Sequence, residues 1–237
     1  MNRFLMTYRI LPLFLLFFMS FSTLENEVKV SEKIIISDDI DTEIETIYKD
    51  LNNNHFDVPE IKSFTEALKG FYLLKEQGKV KKDILTIIDF SLSSTVKRLW
   101  VIDLNTKTIL YNSLVAHGRN TGEEFADSFS NQNSSNKSSL GFYLTAEIYN
   151  GKHGKSLKLD GIERGINDNA RLRGIVVHAA DYVSESFIKN NHRLGRSQGC
   201  PALPEELSNE IINTIKDKTC LYIYHPSRQS KLDNLQS

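Results

Sequence analysis

Cysteine is scarce in this chain: two residues in 237, Cys200 and Cys220. That is too few for a disulfide-stapled scaffold. The cysteine pairs two to four residues apart that mark structural zinc are absent as well. There is no block of basic residues, and the formal charge is 29 − 30 = −1, so a nucleic-acid footprint is missing. No apolar run reaches the roughly 18–20 residues that span a bilayer. The run from Ile10 to Phe21 holds only 12. No internal repeat is found. With 5 Pro and 12 Gly, 40% hydrophobic and 25% charged residues, what remains is an ordinary globular protein: one large domain with extensions, or two small ones.

The N-terminus reads as a secretory signal. Arg3 and Arg9 precede the short apolar run, and Ser20-Phe21-Ser22 supplies small residues for cleavage after Ser22. No Cys follows the run, against a lipid anchor; an uncleaved anchor is the other reading. Either way the folded part is expected to be exported, to the periplasm or cell envelope. Loss of residues 1–22 removes two Arg and no acid, giving 27 − 30 = −3.

A polar lead-in over 23–39 is followed by Ile40, Ile44, Ile47, Tyr48 and Leu51 at helical spacing, stopped by Asn52-Asn53-Asn54. Lead-in and helix together are assigned to residues 23–56. A second helix is expected from Ser63, with Ser63 and Glu66 as a capping box. It buries Phe64, Ala67, Leu68, Phe71 and Tyr72, and Gly78 ends it. The period then changes. Segments 84–90, 98–104, 108–116, 141–149, 157–160, 174–179 and 220–225 are short and rich in Val, Ile, Leu, Tyr and Phe, which predicts a mainly β (α+β) core. A last helix starts at Pro204 with Leu207, Ile211, Ile212 and Ile215 on one face. Residues 227–237 form a polar tail. The Ser/Asn-rich stretch from Asp127 to Ser139 is a surface loop: either a solvated connection or the border of a polar substrate cleft.

The two cysteines differ in setting. Cys220 opens the apolar strand Cys220-Leu221-Tyr222-Ile223-Tyr224, as a buried small hydrophobe does. Cys200 ends the polar turn Gly195-Arg196-Ser197-Gln198-Gly199-Cys200, beside Arg193 and Arg196, where cations and free amides are expected to lower a thiol pKa. A disulfide between the two is the default in an oxidising compartment, and a zinc site of His178, His192, Cys200 and Cys220 is a further option. A reactive thiol needs a base. His178, at the end of Gly174-Ile175-Val176-Val177 and before Ala179-Ala180, is the best placed. His192 lies in a polar loop, and His117, at another strand end, is expected to line the same cleft. The amides near Gly199 and Cys200, with the Ser197 hydroxyl, are the expected oxyanion donors.

Val177-His178-Ala179-Ala180-Asp181-Tyr182-Val183-Ser184 and Leu194-Gly195-Arg196-Ser197-Gln198-Gly199-Cys200-Pro201-Ala202 together resemble the catalytic signature of the L,D-transpeptidase (YkuD-like) family. Four upstream blocks resemble its murein L,D-transpeptidase catalytic-domain subgroup. They are Ile87-Ile88-Asp89-Phe90-Ser91, Arg98-Leu99-Trp100-Val101-Ile102-Asp103-Leu104, Val115-Ala116-His117-Gly118 and Ser138-Ser139-Leu140-Gly141-Phe142-Tyr143. The likeness covers residues 57–226. It implies a β-sandwich core, Cys200 as nucleophile, His178 as base, and no metal or organic cofactor. The substrates it implies are peptidoglycan stem peptides, joined by 3→3 cross-links through a thioester with release of D-Ala. The membrane enters only through the signal segment, and nucleic acid not at all.

Two departures stand out. Gln198 replaces the family's second His, so it hydrogen-bonds but takes no proton. Pro201 follows the Cys, and the carboxylate-binding role of a family Arg passes to Arg196 or Arg193. Two alternatives remain beside the transpeptidase. One is an L,D-carboxypeptidase or peptidase using the same Cys–His pair; the other is a non-catalytic wall-binding module with its cysteines bridged.

Overall fold

The computed structural model describes residues 40–228 and Leu235. The signal over 1–22, the lead-in to residue 39 and most of the polar tail lie outside the described residues. The chain divides into two compact units, residues 1–46 and 47–237. Of the first, residues 40–46 are described and helical, and this helix (α1) runs on through residue 49. In the second unit, Asn52 forms a one-residue bridge to Thr108 on the sheet edge. The indole of Trp100 donates to the Asp57 carbonyl at 2.7 Å.

Among the described residues, helix α2 (Ile61–Glu76) precedes eight strands and two further helices. The strands are β1 (Ile84–Asp89), β2 (Leu99–Asp103), β3 (Thr108–Ser113), β4 (Gly141–Gly151), β5 (Gly154–Gly161), β6 (Val176–Ala179), β7 (Ala202–Leu203) and β8 (Cys220–Tyr224). Helix α3 (Glu185–Asn191) lies between β6 and β7, and α4 (Glu205–Ile215) between β7 and β8. All seven expected strands are present. Strand β7 was not expected, because two residues carry no readable period. Helix α3 was not expected, and its last residues, 189–191, overlap the expected polar loop. It buries no residue, and its local signals are Ser184, whose hydroxyl accepts from the Phe187 N–H at 3.3 Å, with Glu185 in the first turn and Lys189 in the last.

The capping box is corrected. Helix α2 begins earlier, with Glu60 as N-cap and no side-chain cap bond. Ser63 lies inside the first turn, fully buried, and its hydroxyl donates back to the Glu60 carbonyl. The expected apolar stripe holds for Phe64, Ala67, Leu68 and Phe71, whereas Tyr72 is half-buried and Leu74 takes its place. A Cβ on Gly70 would stand 2.0 Å from the Phe142 ring, so the missing side chain lets α2 lie directly on the sheet. The last helix keeps Ile211, Ile212 and Ile215 of its expected face buried, whereas Leu207 is half-buried and Pro204 is the N-cap, one residue before the first turn.

The strands form one mixed sheet in the order β3-β2-β1-β8-β4-β5-β6-β7. Central strands β1 and β8 run parallel and are buried along nearly their whole length, as strands covered on both faces must be. A register shift in the β4–β5 pair, between Thr145 and Ile148, marks a bulge of the kind that bends a sheet. The sheet curls until the chain beyond β3 meets the far edge, where Ala116 bridges Ala202 of β7. The result is a nearly closed, barrel-like sheet around a common core. Ile88, Val101, Tyr143, Leu159, Val177 and Ile212 belong to that core.

Beneath the closure lies a buried polar link. Arg98, with no exposed surface, donates from Nη2 to Nδ1 of His117 at 2.8 Å and to the Val115 carbonyl at 3.0 Å. With Nδ1 accepting, the proton of His117 sits on Nε2 and points to the Gly122 carbonyl, 3.2 Å away. Burial, and next the Arg98 charge, push the His117 pKa down to about 4. Protons therefore bind the unfolded chain more readily than the folded one. Stability is full above pH 6.5 and falls as the pH drops from 6.5 towards 4, by up to about 3 kcal/mol from this one group. His117→Gln, which can keep one acceptor and one donor, is expected to lose less Tm than the wild type between pH 6.5 and 4. Equal losses in thermal melts of the two proteins would place the acid-sensitive group elsewhere.

Candidate active site

The register of the β6–β7 pair sets the site. His178 pairs with Ala202 across this parallel ladder, and Cys200 stands two residues before Ala202. His178, in β6, and Cys200, in the turn that leads into the neighbouring β7, are therefore brought to the same edge of the sheet although 22 residues separate them in sequence. Both line one cleft of about 640 Å³, together with Arg119, Tyr149, Lys152, His153, Arg173, Tyr182, Arg196, Ser197 and Gln198. Among the described residues its lining holds no Asp or Glu.

His178 is almost wholly buried, and its Nδ1 lies 2.8 Å from the Ala179 carbonyl. A carbonyl only accepts, so Nδ1 carries the proton and Nε2 keeps a lone pair. Burial holds the His178 pKa below its ordinary value, and the ring of His153, stacked on it at 4.5 Å, lowers it further. At neutral pH the imidazole is an uncharged base.

Both cysteines are free. Cys220 is fully buried in β8, where burial pushes its thiol far up. Cys200 is half-buried in the cleft, with its sulfur 3.7 Å from the Gly174 carbonyl. The expectation of a lowered thiol pKa is corrected. Burial raises it, and the Val176 N–H and the Arg173 charge offset this only in part. The cation beside the thiol is thus Arg173. Arg193 and Arg196 are both drawn to Glu123, at 3.0 and 2.6 Å. Arg196 reaches the cleft with its charge already paired, and Arg193 is not among the lining residues.

Ser197 builds the turn. Its hydroxyl donates to the Cys200 carbonyl at 2.6 Å and accepts from the Gly199 N–H at 3.0 Å. The Gly199 amide is therefore already used, whereas the Cys200 N–H has no hydrogen-bond partner among the described residues. Gly199 has φ +123°, and a Cβ there would stand 2.8 Å from the Lys137 carbonyl. Both facts require glycine. Gln198 is exposed, lines the cleft, and its side-chain amide has no partner among the described residues.

His117 does not line the cleft; it is interior and engaged by Arg98 and Gly122. Its backbone carbonyl accepts from the Ser197 N–H at 2.9 Å, so it supports the turn from behind. His192 is exposed at the end of α3. Among the described residues no group of three or more His, Cys, Asp or Glu is placed to hold a metal, and no helix is long and apolar enough to cross a membrane. The Ser/Asn-rich loop borders the cleft through Asn133, Ser134 and Asn136. Sequence reading missed Arg119, His153, Arg173 and Tyr182. His153 sits at a hairpin tip and Arg173 in a turn, and neither position carries a local motif.

Solved structures match at low identity. An L,D-transpeptidase from Mycobacterium smegmatis matches at 10% identity and TM-score 0.37, covering 60% of this chain and 59% of its own. The helical cell shape determining protein Pgp2 from Campylobacter jejuni matches at 13% and 0.39, covering 69% and 58%. The chain thus spans about 60% of the length of the first solved structures it matches. No curated protein sequence matches. The family model of the L,D-transpeptidase catalytic domain matches residues 57–224, and on that match the chain belongs to the L,D-transpeptidase catalytic-domain family.

Proposed function

We propose that this chain is an exported peptidoglycan L,D-transpeptidase that forms 3→3 cross-links through a thioester on Cys200. One observation carries the reading: a free thiol and an imidazole with an open Nε2 line the same acid-free cleft. Nε2 of His178 takes the thiol proton as sulfur attacks the carbonyl before D-Ala. Negative charge on the tetrahedral oxygen meets the open Cys200 N–H, with the Gln198 amide and Tyr182 hydroxyl as further donors from the cleft wall. Burial, and next the negative charge that Cys200 carries once it has lost its proton, push the Tyr182 phenol up to about 12, so it keeps its proton at neutral pH. The imidazolium returns the proton to the departing amine of D-Ala. An acceptor amine then attacks the thioester, and His178 takes the amine's proton and passes it to the departing sulfur, which restores the thiol. Ser197, Gly199 and the interior His117 hold the turn that presents the thiol.

Stem peptides are rich in carboxylates, and the cleft offers cations to meet them. Arg119 is exposed there, and its side chain makes no bond or ion pair among the described residues. It takes the carboxylate role that Arg196, held by Glu123, is less free to fill.

Three experiments bear on this. Tetrapeptide-bearing peptidoglycan fragments incubated with the protein should yield 3→3 dimers and free D-Ala by mass spectrometry, and Cys200→Ala should yield neither. Tripeptides without dimers would point to the hydrolase instead, and no product from the wild type would remove the enzymatic reading. Because a base with a lowered pKa is needed neutral, kcat/KM for D-Ala release should lose activity only below pH 6.5, about tenfold per pH unit. An acid limb centred above 6.5 would mean a resting thiolate–imidazolium pair. Arg119→Ala should raise KM by about two- to fivefold at unchanged kcat, as an exposed ion pair would. A larger KM effect from Arg196→Ala would return the carboxylate to that residue.

A further inference from the structure

Arg173 is half-buried and, like the interior Arg98 but unlike the bridging arginines, pairs with no carboxylate among the described residues. Arg171 pairs with Glu147 and Asp160, Arg193 and Arg196 pair with Glu123, and Arg228 pairs with Glu163. Arg173 binds only neutral oxygens. Nη1 donates to the Ser130 carbonyl at 2.8 Å and to the Ser139 hydroxyl at 3.1 Å. Nη2 donates to the Ser135 hydroxyl at 3.4 Å and to the Lys137 carbonyl. All four acceptors belong to the Ser/Asn-rich loop and its end.

The same guanidinium faces the nucleophile turn. Nη2 lies 3.3 Å from the point where a Cβ on Gly199 would stand, and the Lys137 carbonyl is 2.8 Å from that point. Ser138 ties the same loop to the same turn, donating to the Gly199 carbonyl at 3.1 Å and accepting from the Gly118 N–H at 3.0 Å. A cation held out of bulk water without a counter-ion is costly, and an anion that forms beside it relieves that cost. Cys200 shares the cleft with Arg173, and the two interact electrostatically.

We infer that Arg173 is a positioning residue with two tasks. It fastens the 130–139 loop as a wall of the cleft, and it supplies the unpaired positive charge against which the Cys200 sulfur becomes negative. Its importance to turnover rests on the proposed role of Cys200 as nucleophile; the charge relation is readable on the thiol itself.

The test is alkylation of Cys200 by iodoacetamide as a function of pH, with the label located by mass spectrometry, since Cys220 is buried. In Arg173→Gln the rate at pH 7 should fall about tenfold and the profile should move about one unit to higher pH. Arg173→Lys keeps the charge and loses the fork, so it should keep the wild-type profile while melting at a lower temperature. A staple without an electrostatic role predicts the opposite: faster alkylation in Arg173→Gln as the loop loosens. An unchanged or faster profile in Arg173→Gln overturns the inference, as does an upward shift in Arg173→Lys, which decides the matter alone if Arg173→Gln does not fold. A wild-type protein with this thiol behaviour but no muropeptide product would remove the transpeptidase reading and leave this one standing. Cross-linked product together with an unmoved thiol profile would do the reverse.

Discussion

Ala202 is where the structure closes. It pairs with His178 along the parallel β6–β7 ladder, and it exchanges backbone bonds with Ala116, N–H to carbonyl at 2.9 Å and 3.3 Å in the two directions. One fully buried residue thus joins the last strand of the sheet, the chain beyond the first edge strand, and the segment that carries the thiol. A larger side chain would have little space at such a junction. Because the closure uses main-chain bonds, the relative position of Cys200 and His178 is a consequence of strand register, which a slip of one residue would invert.

The site is built in layers behind that junction. Arg98 holds His117 from the interior, the His117 carbonyl holds Ser197, and the Ser197 hydroxyl closes the turn onto Cys200. Two buried polar side chains, each with every nitrogen engaged in at least one hydrogen bond, thereby fix a turn that has little apolar surface of its own. A satisfied network gives rigidity, whereas a half-satisfied one would weaken the fold.

Burial sets the electrostatics of the cleft. It raises the thiol and lowers the imidazole, so both groups rest uncharged at neutral pH. In the proposed reaction, charge would then be created during the chemistry rather than stored before it, and the surroundings suit that order. The lining has cations and no carboxylate among the described residues, and Arg173 is bound to neutral acceptors only. The Ser/Asn-rich loop belongs to this arrangement: its small polar residues build no core, but their hydroxyls and carbonyls hold a guanidinium without neutralising it.

The sequence by itself determined most of the elements and singled out the residues from which the proposed chemistry is argued. Alternating and clustered apolar residues gave seven of the eight strands and the faces of α2 and α4, because burial imposes a period that local composition records. Cys200, His178 and the turn from Arg196 to Cys200 stood out because their residue types are unusual in their settings. Tertiary structure decided what depends on distant neighbours. Strand β7 has two residues, too few for a period, and exists through its partners in β6 and at Ala116. His117, placed at a strand end by its sequence, turned out to be interior because Arg98 waits there. Arg193 and Arg196 stand beside Cys200 in sequence, yet Glu123 takes their charge, while Arg173, 27 positions away, faces the turn. The direction of the thiol pKa followed from the same cause, since burial is a property of the assembled cleft.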